Sequence, residues 1–191
     1  MTEVELKARV QDKDALKKRL DKIAAYRGFC TRDDTYYSRA EDIHRKIRIR
    51  KECKKDNDGE KTAYILTYKR KELKTLQDGS TSEVNDEKET VIQDPVSLEL
   101  FLQDTGFSVS LKKHKEVMDW TLPLENLSAT FELCTVPPLG DFLEIEILVP
   151  TNSEEKIEQA QKKLQELLLL AGLNKSDIEN RYYSELLAMQ R

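Results

Sequence analysis

The chain has 191 residues, 38% hydrophobic and 36% charged, with 32 Lys and Arg against 36 Asp and Glu for a net charge of −4. That length suits a single domain, expected to span residues 1–191, with side chains enough for a sizeable core. The near-balance of charge excludes nucleic-acid recognition by bulk basicity, no basic stripe is interleaved with aromatics, and no apolar run approaches membrane-spanning length.

The opening MTEVELKARV alternates: Glu3, Glu5 and Lys7 share one side of a strand over 3–10, and Val4, Leu6, Ala8 and Val10 share the other. Asp12 can cap a helix to about Ala25, with Leu16, Leu20 and Ile23 on its apolar side. Strands are expected at 33–39, 45–52, 62–71 and 84–92, with turn-rich KKDNDGEK after Cys53 and LQDGSTSEVND after Thr75. Asp94-Pro95 opens a helix carrying Leu98, Phe101 and Leu102, which Gly106 closes. Strands at 110–120, 128–136 and 142–149 lead into an amphipathic helix from Glu154 to Ala171, ending at Gly172. Ser176 and Glu179 form a capping-box pattern before a last helix with Tyr183, Leu186 and Leu187. The fold class is α+β, with about eight mostly antiparallel strands and helices outside them. The run Leu167 to Leu170 reads as helix core or as a contact in a homodimer. Cys30, Cys53 and Cys134 are an odd count without metal-type spacing, and charged residues fill the stretch where a signal peptide needs an apolar core. Free thiols, a soluble chain and a cytoplasmic location are therefore expected.

The ionic alternation of the first strand recurs. Lys46, Arg48 and Arg50 share a face opposite Ile47 and Ile49, and Glu144 and Glu146 alternate with Leu143, Ile145 and Ile147. Glu87 and Glu89 repeat the same acidic spacing, Lys69 shares a face with Ile65 and Thr67, and Lys113 and Lys115 share one in LKKHK. For one strand, a solvated outer face explains such a pattern as well as function does. Acidic pairs and basic pairs sorted onto separate strands argue for function, because the helices need the aliphatic faces to cover. The ionic faces would then line a closed or nearly closed β-barrel, with room for one small ligand. Crowded carboxylates call for a divalent cation, and hard oxygen ligands select Mg²⁺ or Mn²⁺. Lys and Arg beside them suit a polyphosphate, with Arg able to fork onto phosphate oxygens. His44, His114 and Cys53 lack the convergent geometry of a catalytic group, and spacing does not say whether Tyr36 or Tyr37 packs in the wall.

EVELK at Glu3 to Lys7 resembles the ExExK signature of the CYTH superfamily, the triphosphate tunnel enzymes. DTYYS (Asp34 to Ser38), IRIRK (Ile47 to Lys51), LTYKR (Leu66 to Arg70), PLGDFLEIE (Pro138 to Glu146) and the closing NRYYSELL resemble family segments in the same order. The resemblance implies an eight-stranded tunnel with helices outside and a metal-dependent enzyme, first a class IV adenylyl cyclase turning ATP into cyclic AMP and pyrophosphate. The alternative is a triphosphatase acting on inorganic, thiamine or nucleoside triphosphate, and a more distant one is a non-catalytic polyphosphate sensor. By position Glu3, Glu5, Glu144 and Glu146 would bind metal, with Glu87 and Glu89 completing the acidic set. Lys7, Arg48, Arg50, Lys69, Lys113 and Lys115 would hold the triphosphate, and Glu3, Glu5, Lys7, Glu144 and Glu146 would carry the chemistry. Two positions depart from the pattern: Asn85 stands where an arginine is common, and Cys134 where an aspartate is expected. Glu132, two residues earlier on the same face, is expected to take that aspartate's metal-binding role.

Overall fold

The computed structural model describes residues 2–40, 42–56, 59–75, 81–150 and 153–190; for 42–46, 56, 69–75 and 81–87 it describes the backbone alone. The side chains of His44, Lys46, Lys69, Asn85 and Glu87 lie outside the described residues.

Eight strands form: β1 (Thr2–Val10), β2 (Ala25–Arg39), β3 (Asp42–Asp56), β4 (Gly59–Thr75), β5 (Thr81–Ile92), β6 (Ser108–Pro123), β7 (Ser128–Val136) and β8 (Gly140–Val149). The helices are α1 (Lys13–Ile23), α2 (Pro95–Asp104), α3 (Glu154–Ala171) and α4 (Tyr183–Ala188). The strands make one sheet in the order β1-β8-β7-β6-β2-β3-β4-β5, and the pairs β1/β8, β8/β7, β7/β6, β3/β4 and β4/β5 are antiparallel. The expected α+β class with eight antiparallel strands is borne out. Hydrogen bonding leaves β1 and β5 as the ends of the order, so among the described residues no ladder closes the sheet as a barrel closes.

Local chemistry sets the helix ends. The Asp12 carboxylate accepts from the Ala15 N–H at the start of α1, and Asp94 accepts from Val96 and Ser97 ahead of Pro95 in α2. Gly172 ends α3 at φ 88°, a left-handed conformation in which its N–H caps the helix carbonyls. The capping box expected between Ser176 and Glu179 does not form. Instead the Glu179 N–H donates to the Lys7 carbonyl at 2.8 Å, and its carboxylate is drawn away by arginines. Several strands outrun their sequence signals. β2 begins eight residues before the expected 33, and β3 runs to Asp56 and β4 starts at Gly59 within the turn-rich KKDNDGEK stretch. Residues 81–83, expected as loop, belong to β5 because they pair with β4 as far as Thr75↔Thr81.

Packing divides the chain into two compact units, Met1–Cys30 with Lys115–Arg191, and Thr31–His114. In the first, Val4, Ala8 and Val10 of β1, Phe131 and Leu133 of β7 and Leu143, Ile145 and Ile147 of β8 form one core with Leu16 and Leu20 of α1 and Leu164 and Leu168 of α3. In the second, Tyr37, Ile49 and Leu102 are buried together, with Ile47, Leu66 and Leu98 against them. Tyr37 is thus the wall residue of the tyrosine pair. Leu167 and Leu168 are buried, whereas Leu169 and Leu170 are exposed. In each unit the helices take the aliphatic faces of the strands.

Leu168 of α3 is wholly buried. Leu168→Ala should cost about 2–5 kcal/mol of folding free energy. Urea unfolding checks this: the midpoint should fall while the slope stays that of the unsubstituted protein.

Candidate functional site

The faces opposite the helices carry the charges, and each unit holds its own group. In the first unit Glu5 is the register partner of Glu146, Lys7 of Glu144, and Glu144 also of Glu132 across β7. The Lys115 ammonium donates to the carboxylates of both Glu132, at 2.8 Å, and Glu144. Ligand atoms of Glu132, Cys134 and Glu144 lie within 4.8 Å of one another. Burial pushes the Cys134 thiol up, and the Glu144 and Glu132 carboxylates add to that against the opposing pull of Lys115, so the sulfur stays protonated at neutral pH. The thiol points its proton at the Glu132 carbonyl, 3.4 Å away. Cys134 therefore does not offer the soft thiolate that its position near two carboxylates suggests.

Glu5 shows what the crowding costs. Protein atoms that thin its hydration, followed by the Glu144 and Glu3 carboxylates, raise it to about 7, with Lys115 and Lys7 opposing. Glu5 keeps contact with solvent, and the like charges beside it favour its protonated form. A Glu5 carboxyl raised in this way marks neighbouring negative charge that Lys115 and Lys7 do not fully cancel. A divalent cation is the partner that would cancel it, and Glu3, Glu5, Glu132, Glu144 and Glu146 are oxygen donors of the kind Mg²⁺ and Mn²⁺ accept.

Lys7 is placed differently from the other predicted cations. Its ammonium donates to the Arg181 carbonyl at 2.6 Å and sits 4.2 Å from the centre of the Tyr183 ring. The chain before α4 is anchored there by Glu179, whose carboxylate accepts from Arg9 at 3.0 Å and from Arg181 at 2.7 Å. Nothing in the residue pattern points to this contact, because it joins residues about 170 positions apart.

In the second unit, Asp34 of β2 accepts a forked pair of bonds from Arg50 of β3, Nε at 2.7 Å and Nη2 at 3.1 Å, and Lys113 of β6 lies 3.2 Å from the same carboxylate. Burial alone would raise that carboxyl; the Arg50 fork, then Lys113 and Arg48, outweigh it and hold it well below the usual carboxylate range. Tyr36, the other half of the tyrosine pair, brings its hydroxyl to 3.5 Å from Asp34. Arg48 donates through Nη2 to Thr67 and to Glu89, each at 2.8 Å, and Thr67 donates to the same Glu89 oxygen at 2.7 Å. The Arg48 Nε is buried with no hydrogen-bond partner among the described residues. A buried donor left unmet is costly, and an anionic oxygen is what would meet it. Lys69 and Glu87 are register partners on β4 and β5. His114 pairs with Asp33 at 2.6 Å on a half-exposed face, away from the Arg50–Asp34–Lys113 group in partner terms. Asp34 and Thr67 were missed in the sequence. The signal for Asp34 was present: an Asp33-Asp34 pair on β2, with Lys46, Arg48 and Arg50 in sequence on one face of β3.

No helix among the described residues is long and apolar enough to cross a membrane. The CYTH domain family model matches residues 1–183. No curated protein matches the chain. Among solved structures, the PH1819 protein from Pyrococcus horikoshii OT3 is similar at 27% identity and a TM-score of 0.74, covering 100% of both chains. A candidate adenylate cyclase from Vibrio parahaemolyticus is similar in fold at 20% identity and a TM-score of 0.73, covering 97% of both chains. A Hippeastrum protein, a candidate adenylyl cyclase described as having a dominant triphosphatase activity, is similar in fold at 14% identity and a TM-score of 0.64, covering 100% of this chain and 97% of that one.

Glu179 supplies a pH test of the C-terminal anchor. Hydrogen bonds from Arg181, with Arg9 adding to them and partial desolvation opposing, lower its carboxyl to about 2 from an ordinary value of 4.5. A lowered carboxyl contributes stability above its unfolded value and loses it as pH falls toward the folded one. The melting temperature of Glu179→Gln should lie below that of the unsubstituted protein at pH 7, and the gap should close between about pH 4.5 and pH 2.

Proposed function

The chain belongs to the CYTH domain family, and from that premise we propose that it is a divalent-metal-dependent enzyme acting on a triphosphate. The observation that carries the reading is the sorting of charge: carboxylates crowded enough to raise Glu5 in one unit, and a buried arginine donor without a partner in the other. Glu3, Glu5, Glu132, Glu144 and Glu146 would hold Mg²⁺ or Mn²⁺, with Glu87 and Glu89 as the remaining acidic candidates. When bound, the metal would neutralise charge developing on phosphate oxygens.

The chain's own groups supply the rest. Arg48 offers its Nε to an anionic oxygen, while its Nη2 stays fixed on Thr67 and Glu89. Arg50 and Lys113 add positive charge that Asp34 only half offsets. Lys7, Lys69 and Lys115 complete the cationic set by family position. Phosphoryl and adenylyl transfer need little covalent help from a protein; they need charge placed where the transition state gathers it. Lys115, held by Glu132 and Glu144, bridges the two roles: it keeps those carboxylates from repelling each other until a dication takes over.

The sequence pattern favours ATP as substrate, with the ribose 3′-hydroxyl attacking the α-phosphorus and pyrophosphate leaving. Cys134 favours hydrolysis instead. A protonated, fully buried thiol replaces the aspartate that the cyclase-like pattern expects, and a triphosphatase needs only a positioned water and a leaving diphosphate. The dominant triphosphatase activity described for the Hippeastrum protein accords with that second reading.

Incubation of the pure protein with ATP, inorganic triphosphate and thiamine triphosphate under Mg²⁺ and Mn²⁺ distinguishes the outcomes. Cyclic AMP with pyrophosphate establishes the cyclase, orthophosphate with a diphosphate the triphosphatase, and metal-dependent binding without turnover the sensor. Glu5→Ala should lower whichever turnover is found at least about a hundredfold, yet leave the melting temperature at pH 8 unchanged or raised. The reason is that ionising Glu5 among like charges weakens the folded state as pH rises from 4.5 through about 7. In metal titrations of activity, Glu132→Ala should raise the half-saturating Mg²⁺ concentration about tenfold or more, and Cys134→Ala less than about twofold. Equal shifts would remove Glu132 from the metal set.

A further inference from the structure

Asp34 is absent from every role assigned so far, although its side chain is 0% exposed and both its oxygens are spoken for. Three adjacent strands meet at it: β2 supplies the carboxylate, β3 the Arg50 fork and β6 the Lys113 ammonium. Resting on the triphosphate reading above, we infer that Asp34 is a positioning residue that holds Arg50 and Lys113 as a preformed cationic pair for the phosphate oxygens of the substrate. Two cations around one carboxylate leave one positive charge in excess, so the trio remains attractive to an anion. The carboxylate takes Arg50 by Nε and Nη2, which fixes the plane of the guanidinium and leaves its third nitrogen, Nη1, outside the fork. Long cationic side chains carry much rotamer freedom. Surrendering that freedom on folding, rather than on binding, is what makes a preorganised site bind more tightly. Tyr36 adds a hydroxyl 3.5 Å from Asp34 and a ring whose centre lies 6.0 Å from the Lys113 ammonium.

A purely structural Asp34 would merely satisfy two buried cations, and its loss would then appear in stability and not in the coupling between residues during anion binding. The two are separated by a double-mutant cycle on Asp34→Asn and Arg50→Lys, read by calorimetric binding of inorganic triphosphate at a temperature where circular dichroism shows every variant folded. Asn places an amide N–H₂ or a single oxygen against two cations and loses the fork. Positioning predicts that Asp34→Asn raises the Kd about tenfold or more, that Arg50→Lys does likewise, and that the loss in the double variant is at least about threefold smaller than the product of the two single losses, the remainder being the Lys113 ammonium that Asp34 also holds. Unchanged or tighter binding in Asp34→Asn, or multiplicative losses in the double variant, would overturn it. Should Asp34→Asn not fold, Asp34→Glu, which keeps the charge but displaces it by one methylene, enters the same cycle with the same expectation. The calorimetric signal is independent of turnover. An unsubstituted protein that binds triphosphate but hydrolyses or cyclises nothing overturns the enzymatic reading alone, while one that does not bind inorganic triphosphate overturns both.

Discussion

A strand has two faces, and in this protein helices claim the aliphatic one in both units. α1 and α3 cover Val4, Ala8, Ile145 and Ile147, and the α2 residues Leu98 and Leu102 pack with Tyr37, Ile47 and Ile49. Everything else about the charged residues follows from that occupancy. Because successive residues alternate, Glu3, Glu5, Lys7, Arg48, Arg50, Glu144 and Glu146 have only the other face left to them. Had the same strands turned their aliphatic faces to each other, the charges would have gone to open water, where ion pairs contribute little. Here each unit gathers its own charges on the face away from its helices instead, at a cost that the unit has to meet.

The two units meet that cost in different ways. In the second, opposite charges are matched at short range: Asp34 with Arg50 and Lys113, Glu52 with Arg32, Glu89 with Arg48 and Thr67. Burial would raise the Glu52 carboxyl, and the Arg32 bond outweighs it. In the first, the match is incomplete. Lys115 serves two carboxylates at once, and Glu5 is raised beside Glu144 and Glu3. Groups held away from their ordinary protonation in this manner gather where a ligand completes the electrostatics. The like charges around Glu5 also account for why Glu5→Ala is expected to lower activity without lowering stability.

Much of this was legible from alternation alone. The faces of β1, β3 and β8 can be read from Val4/Leu6/Ala8 against Glu3/Glu5/Lys7, from Ile47/Ile49 against Arg48/Arg50 and from Leu143/Ile145/Ile147 against Glu144/Glu146. The start of β2 was not legible, because Arg27 and Gly28 break the period before Thr31, and tertiary pairing carries the strand through them. Nor was the fate of Glu179, whose spacing from Ser176 imitates a capping box although Arg9 and Arg181 claim the carboxylate. Partner choice among like residues is the hardest to read: Lys113 and Lys115 share a face and a strand, yet one joins Asp34 and the other joins Glu132 and Glu144. Period fixes which side a residue takes, but not which of several opposite charges lies across from it.

The proposed activity requires that this protein bind a divalent metal and a triphosphate together. Linkage between the two components tests it most directly. Calorimetric titration of Mg²⁺ into the protein, with and without saturating inorganic triphosphate, should give a Mg²⁺ affinity that rises with the anion beyond what triphosphate and Mg²⁺ show for each other in buffer, and Glu5→Ala should erase the excess. An affinity explained entirely by the buffer equilibrium, with Glu5→Ala indistinguishable from the unsubstituted protein, would contradict it.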